Sequence, residues 1–170
     1  MVPNKTHELM NDQIKHELES YYLYLNMAAY FHDQNLDGMA SWMRAQAHEE
    51  MVHAMKFFNH LVERGAKVTL YPISVLKASW ENPLQAWKEA YDHELFISSK
   101  ICNLVKVAKE IEDFTSMPLL HWFLEEQIEE EKQTQEVVAL LERAGSSGMS
   151  LIYADQGLGH RKPGEGSALA

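Results

Sequence analysis

Residues 39–61 read MASWMRAQAHEEMVHAMKFFNHL. On an α-helix, positions three and four apart share a face. Met39, Met43, Gln46, Glu50, His53, Phe57 and Leu61 then fall on one stripe. Its two ends are apolar and suit a buried face. Its middle carries a carboxylate and an imidazole, offset by three positions and therefore aimed the same way. An ionised carboxylate buried without a partner is strongly unfavourable, so a compensating charge is expected beside it.

The same interruption recurs in three other helical stretches. One stripe runs Met10, Ile14, Glu17, Leu18, Tyr21, Leu25, with Glu17 the intruder. Another runs Leu84, Trp87, Tyr91, Glu94, Ser98, Ile101, Val105, Ala108, with Glu94 in its middle. The last runs Leu120, Phe123, Gln127, Glu130, Thr134, Val137, Leu141. Glu50 follows Glu17 by 33 residues, and Gln127 follows Glu94 by 33. The chain thus reads as two helical hairpins, each offering one carboxylate and one i, i+3 pair. A lone Glu-x-x-His arises often by chance, but four ligand sets on four core stripes at a repeated interval do not. Four carboxylates carry a charge that two divalent ions balance, and oxygen ligands with one imidazole suit iron or manganese. The alternative is a buried hydrogen-bonded network without metal, and Gln127 in particular suits a group that only orients its neighbours.

Punctuation divides the chain around these stripes. Helices are expected over about 5–34, from Asp37 as N-cap to Gly65, from Asn82-Pro83 to Glu110, and from a start near Ser116 to Gly145. A short fifth helix is expected over 149–158, with a loose tail from 159 to 170. Residues 66–81 have no helical pattern, and fully extended they span about 50 Å. A helix of about 28 residues is about 42 Å long. The connection can therefore return along the whole bundle, with Val68, Leu70, Tyr71, Ile73, Val75 and Leu76 against its surface. The expected fold is all-α, a single domain over 1–170: a ferritin-like up-down-down-up four-helix bundle with one long crossover and a short C-terminal fifth helix.

Composition narrows the function classes. The 170 residues are 46% hydrophobic with only 8 Gly and 5 Pro, which fits one core built of long helices. A formal net charge of −10 disfavours nucleic acid and anionic lipid as partners and favours cations. The one cysteine, Cys102, excludes an internal disulfide and reads as a small core or interface residue. Residues 1–15 lack the apolar run of a signal peptide, and nothing approaches a membrane span, so a cytoplasmic location is expected.

The motifs His16-Glu17-Leu18, Ala47-His48-Glu49-Glu50-Met51-Val52-His53, Asp92-His93-Glu94-Leu95 and Glu125-Glu126-Gln127-Ile128-Glu129-Glu130-Glu131-Lys132 resemble those of bacterial non-haem ferritins over nearly the whole chain. That resemblance implies an iron store with ferroxidase activity, oxidising Fe(II) with O2 or H2O2, and a 24-subunit homo-oligomeric cage. It implies one iron held by Glu17, Glu50 and His53, with Glu50 bridging to a second held by Glu94 and Glu130, and Gln127 close by. It further implies a third iron site on Glu49, Glu126, Glu129 and Glu130, while Glu125 and Glu131 read as a solvated acidic face. Tyr24 is the family's candidate electron donor or else a hydrogen-bonded core tyrosine. Trp122 has a similar claim, with packing the plainer reading. Met51 occupies the place of a haem-binding methionine in bacterioferritins. Those proteins, however, carry Glu-x-x-His on the fourth helix too, where this chain has Gln127-x-x-Glu130; haem is not expected. A rubrerythrin-like peroxidase would need four cysteines, an oxygenase more room for a substrate pocket, and a twelve-subunit ferritin ligands between subunits. A non-catalytic bundle is the remaining rival.

Overall fold

A computed structural model describes residues 3–74 and 77–161 of the chain. It contains α1 (Asn4–Asp33), α2 (Asp37–Glu63), α3 (Pro83–Glu110), α4 (Met117–Ala144) and a short α5 (Gly148–Leu158), with no strand among the described residues.

Local chemistry sets the ends. Asn82 caps α3, its Oδ1 accepting from the Gln85 amide at 2.9 Å, and Pro83 follows at the first helical position, where no backbone donor is needed. Gly145 closes α4 at φ +56, a left-handed conformation that a side chain disfavours. Two expected caps act differently. Asp37 is the first residue of α2 rather than its cap, which is Leu36, and its carboxylate meets His32 Nδ1 at 2.9 Å. Ser116 does precede α4, but its hydroxyl donates to Asp113 Oδ2 at 2.8 Å instead of accepting from the helix. The α2 N-terminus is capped from a distance: Asp155 of α5 accepts from the Met39 amide at 2.7 Å.

Packing reveals the topology. One apolar core joins Tyr24, Met27 and Phe31 of α1, Met39 and Met43 of α2, Trp87 of α3, and Val137 and Leu141 of α4. A second joins Met10 and Ile14 of α1, Phe57 and Leu61 of α2, Ile97, Ile101 and Leu104 of α3, and Leu120 and Phe123 of α4. The C-terminal halves of α1 and α4 therefore lie with the N-terminal halves of α2 and α3. That is the up-down-down-up order. The crossover makes it possible by running beside α1 from end to end. The Lys67 carbonyl meets His7 Nε2 at 2.5 Å, the Thr69 amide donates to Asn11 Oδ1 at 2.7 Å, and the Ser74 amide donates to Glu19 Oε1 at 3.1 Å. Trp80 then stacks edge-on against Tyr30, centroids 5.3 Å apart.

Several sequence expectations shift by a residue or a face. Leu25 is exposed; the buried line of α1 passes instead through Leu23, Tyr24, Met27 and Phe31, and Leu25 lines a groove with α2. On the crossover Val68 and Ile73 are half-buried, whereas Leu70 and Tyr71 face outward. Val75 and Leu76 lie outside the described residues, as do positions 162–170 of the expected tail. Cys102 is exposed, not a core residue, because it sits on the outer side of α3 between the buried Ile101 and Leu104.

Candidate metal centre

Between the two apolar cores lies a polar layer, and the charged intruders of the four stripes meet there. Glu17 is 0% exposed, Glu50 and Glu94 1%, Glu130 2% and His53 3%. One ligand atom from each of Glu17, Glu50 and His53 falls within 4.8 Å of the others, and so does one from each of His53, Glu126 and Glu130. His53 joins the two groups. Its Nδ1 faces Glu50 Oε2 at 3.5 Å and its Nε2 faces Glu126 Oε1 at 3.6 Å. The ring is wedged edge-on between Trp122 and Phe123, each 5.6 Å away by centroid. Glu94 enters from α3. The Tyr24 hydroxyl donates to its Oε1, and Gln127 Nε2 donates to its Oε2 at 3.2 Å.

Amides hold these carboxylates in place. Gln13 Nε2 donates to Glu17 Oε1 at 2.8 Å, and Gln46 Nε2 donates to both Glu50 Oε1 at 2.9 Å and Glu130 Oε2 at 2.7 Å. Glu17 Oε2 is buried and accepts nothing from the described residues. An orphaned carboxylate oxygen in the interior is costly and calls for a ligand. Among the other acids of the layer, that oxygen is a candidate ligand for a cation.

The electrostatics say the same. Burial raises the Glu17 carboxyl well above the usual range, and the neighbouring Glu50 adds to it. Burial and Glu50 together push Glu94 up to about 8. Glu130 is raised well above the usual range by burial, then by Glu94 and Glu50. Glu50 alone goes down: burial raises it, but the bonds from His53 and Gln46 outweigh that. Burial disfavours the His53 imidazolium, yet its contacts with Glu126 and Glu50 win and hold it well above its ordinary value. The layer therefore stores protons where it lacks metal.

The outer acids are less uniform. Glu126 meets His53, while Glu49 pairs with Arg161, Nη2 to Oε2 at 2.5 Å. Glu129 accepts from Gln133 Nε2 at 2.8 Å, and its carboxyl is raised by burial and then by Glu126. Glu125 is exposed, as expected, but Glu131 is half-buried and accepts from the Ser98 hydroxyl. Tyr24, placed by its sequence one step off the core line, is fully buried and touches Glu94 directly.

A family model of the ferritin-like domain matches residues 7–144. The chain belongs to the ferritin family. Among curated relatives, a bacterial non-heme ferritin of Bacteroides fragilis is 34% identical over 161 residues, covering 95% of this chain and all of that protein. One from Staphylococcus aureus is 31% identical, covering 91% of this chain and 93% of its own length. The open-pore ferritin of the hyperthermophilic archaeon Archaeoglobus fulgidus superposes with a TM-score of 0.94 at 38% identity, over 95% of this chain and 100% of its own. Iron storage is the function this ferritin's membership carries, and the buried Glu and His groups are its candidate iron-binding residues.

Sequence reading missed Gln13, His93 and Arg161. A signal existed for the first: a glutamine stands four residues before both Glu17 and Glu50, one helical turn away. His93 lies behind the site, with Nε2 2.7 Å from Ser20 Oγ and its ring against Phe96, joined there by His16. For Arg161 there was no signal, because its contacts depend on how α5 folds back.

Proposed function

We propose that this ferritin is a ferroxidase that binds two Fe(II) within each bundle and passes the oxidised iron to a mineral store inside a hollow homo-oligomeric cage of 24 subunits in the cytoplasm. The observation that carries it is the buried layer of four carboxylates and one imidazole, with an orphaned oxygen on Glu17.

In this reading Glu17, Glu50 and His53 take one Fe(II), and Glu50, Glu94 and Glu130 the second, with Gln127 orienting Glu94. Four ionised carboxylates then balance the two ions. To reach that state Glu17, Glu94, Glu130 and His53 must each release a proton, because each of them holds one more firmly than usual. Each Fe(II) gives up one electron; O2 takes both electrons and two protons to become H2O2, or H2O2 takes both electrons and two protons to become two waters. The protein holds the metals together and supplies charge compensation for the higher charge on the product ions. Tyr24, whose hydroxyl donates to Glu94, is the proposed source of the second electron, with its phenolic proton, where only one Fe(II) is bound. Glu49, Glu126, Glu129 and Glu130 are the proposed third site, supported by the closeness of Glu126 and Glu130 to each other and to His53.

Anaerobic titration with Fe(II) followed by O2 tests this. Wild type should oxidise about two irons per subunit rapidly, and Glu50→Ala with Glu94→Ala should fall to the background rate. Equal, background rates in both would sink the proposal.

A further inference from the structure

Among the described residues, Arg161 brings a cation from the C-terminal segment to the acids beside the metal layer. Its guanidinium lies over the Trp42 ring, Cζ 4.1 Å from the centroid. Nη1 donates to Gln46 Oε1 at 2.8 Å, and Nη2 donates to Glu49 Oε2 at 2.5 Å. The Arg161 and Glu49 side chains are 10% and 8% exposed, so this is no solvated surface pair. Arg161 also opposes the upward shift of the Glu129 carboxyl.

The fold delivers the guanidinium to a fixed place. The Met39 amide bonds Asp155 of α5. Gly38 lets α5 approach so closely that a Cβ there would lie 1.8 Å from the Asp155 carbonyl oxygen. Arg161 follows six residues later, just past the end of α5. Its grip on Gln46 has a second effect. With Oε1 committed to Arg161, the amide must turn its NH2 inward, where it serves Glu50 at 2.9 Å and Glu130 at 2.7 Å. One side chain thus neutralises an outer acid and sets the donor that steadies two inner ones.

We propose that Arg161 is a tethered counter-cation of the outer acidic cluster: a divalent metal that takes Glu49 Oε2 displaces the guanidinium, and that displacement frees Gln46 Oε1 and with it the orientation of the amide that serves the inner carboxylates. The inference rests on the metal-centre reading above and adds to it a device that ranks the sites. The inner pair fills by expelling protons, without displacing a guanidinium. The outer one fills against a resident charge, and its filling loosens the hold on Glu50 and Glu130.

Calorimetric titration of the full chain in its assembled state with Zn(II), which undergoes no redox step, tests it. Wild type should show two tight events and a weaker third. In Arg161→Gln the third should tighten about tenfold or more, the effect an adjacent unit charge has on a carboxylate's affinity for a cation. Arg161→Lys, which keeps the charge, should stay near wild type, and Glu49→Gln should lose the third event. Trp42 emission should change with the third event in wild type as the stacked guanidinium leaves; Trp42→Phe should lack that change, and Arg161→Gln should lack it too. Two intact tight events with an unaltered or weaker third in Arg161→Gln would overturn this inference alone. Absence of the two tight events from wild type would overturn the metal-centre reading and this inference with it.

Discussion

The two hairpins share a ligand spacing but solve the same charge problem differently. In α1–α2, His53 keeps a proton between Glu50 and Glu126, so an imidazolium offsets the ionised Glu50. In α3–α4 the corresponding position is Gln127, which donates hydrogen bonds but carries no charge. Glu94 has only neutral partners there, Tyr24 and Gln127, and keeps its own proton up to about pH 8. The lesson is that the first half keeps one carboxylate, Glu50, ionised beside a cation, whereas Glu94 in the second forms its anion on demand.

The largest effect that tests this difference is loss of the imidazole. His53→Ala should weaken the first metal by more than about 100-fold, whereas Gln127→Ala, acting only through Glu94, should weaken the second by about tenfold. Equal losses in calorimetry would erase the distinction. Next comes pH. Glu94 and His53 both hold protons more tightly folded than unfolded, so their contribution to the metal-free protein is fully present below the unfolded values near 4.5 and 6.5 and is lost as pH rises, through about 8 for Glu94. Metal binding expels those protons. The metal-free Tm should therefore fall between about pH 5 and 9, and the rise in Tm on Zn(II) addition should grow over that range; a constant increment would contradict the assigned protonation.

A smaller effect comes from making the halves alike. Gln127→His should lower the Glu94 carboxyl and tighten the second metal several-fold, narrowing the gap between the first two binding events. The smallest expected change is at Tyr24. Tyr24→Phe should leave both affinities within about twofold, since a net hydrogen bond contributes only about 1 kcal/mol. It should slow stopped-flow formation of the ferric product several-fold. An unchanged rate would reduce Tyr24 to packing.

Much of this was legible before folding. The stripe interruptions at Glu17, Glu50, His53, Glu94 and Glu130 are a periodic signal, and each residue is buried in one layer. The long crossover could be inferred from length alone. What escaped was anything decided by the angle between elements. Tyr24 and Leu25 are adjacent, and which of them turns inward depends on how α1 rolls against its neighbours. Asp37 has the composition of a cap, but the role passed to Asp155, 118 residues later in the chain. Arg161 was lost among tail residues for the same reason.

The polar layer also has a mechanical meaning. It cuts the interior into two dry compartments that share four helices but few side-chain contacts across the boundary. Without metal that boundary is a seam, where the backbone is spanned by proton-laden carboxyls instead of interlocked aliphatic groups. Each compartment is then a separate unit of hydrogen exchange, able to open while the other stays closed. Ions bound by ligands from all four helices would weld the seam, and the amides on both sides would come to exchange as one.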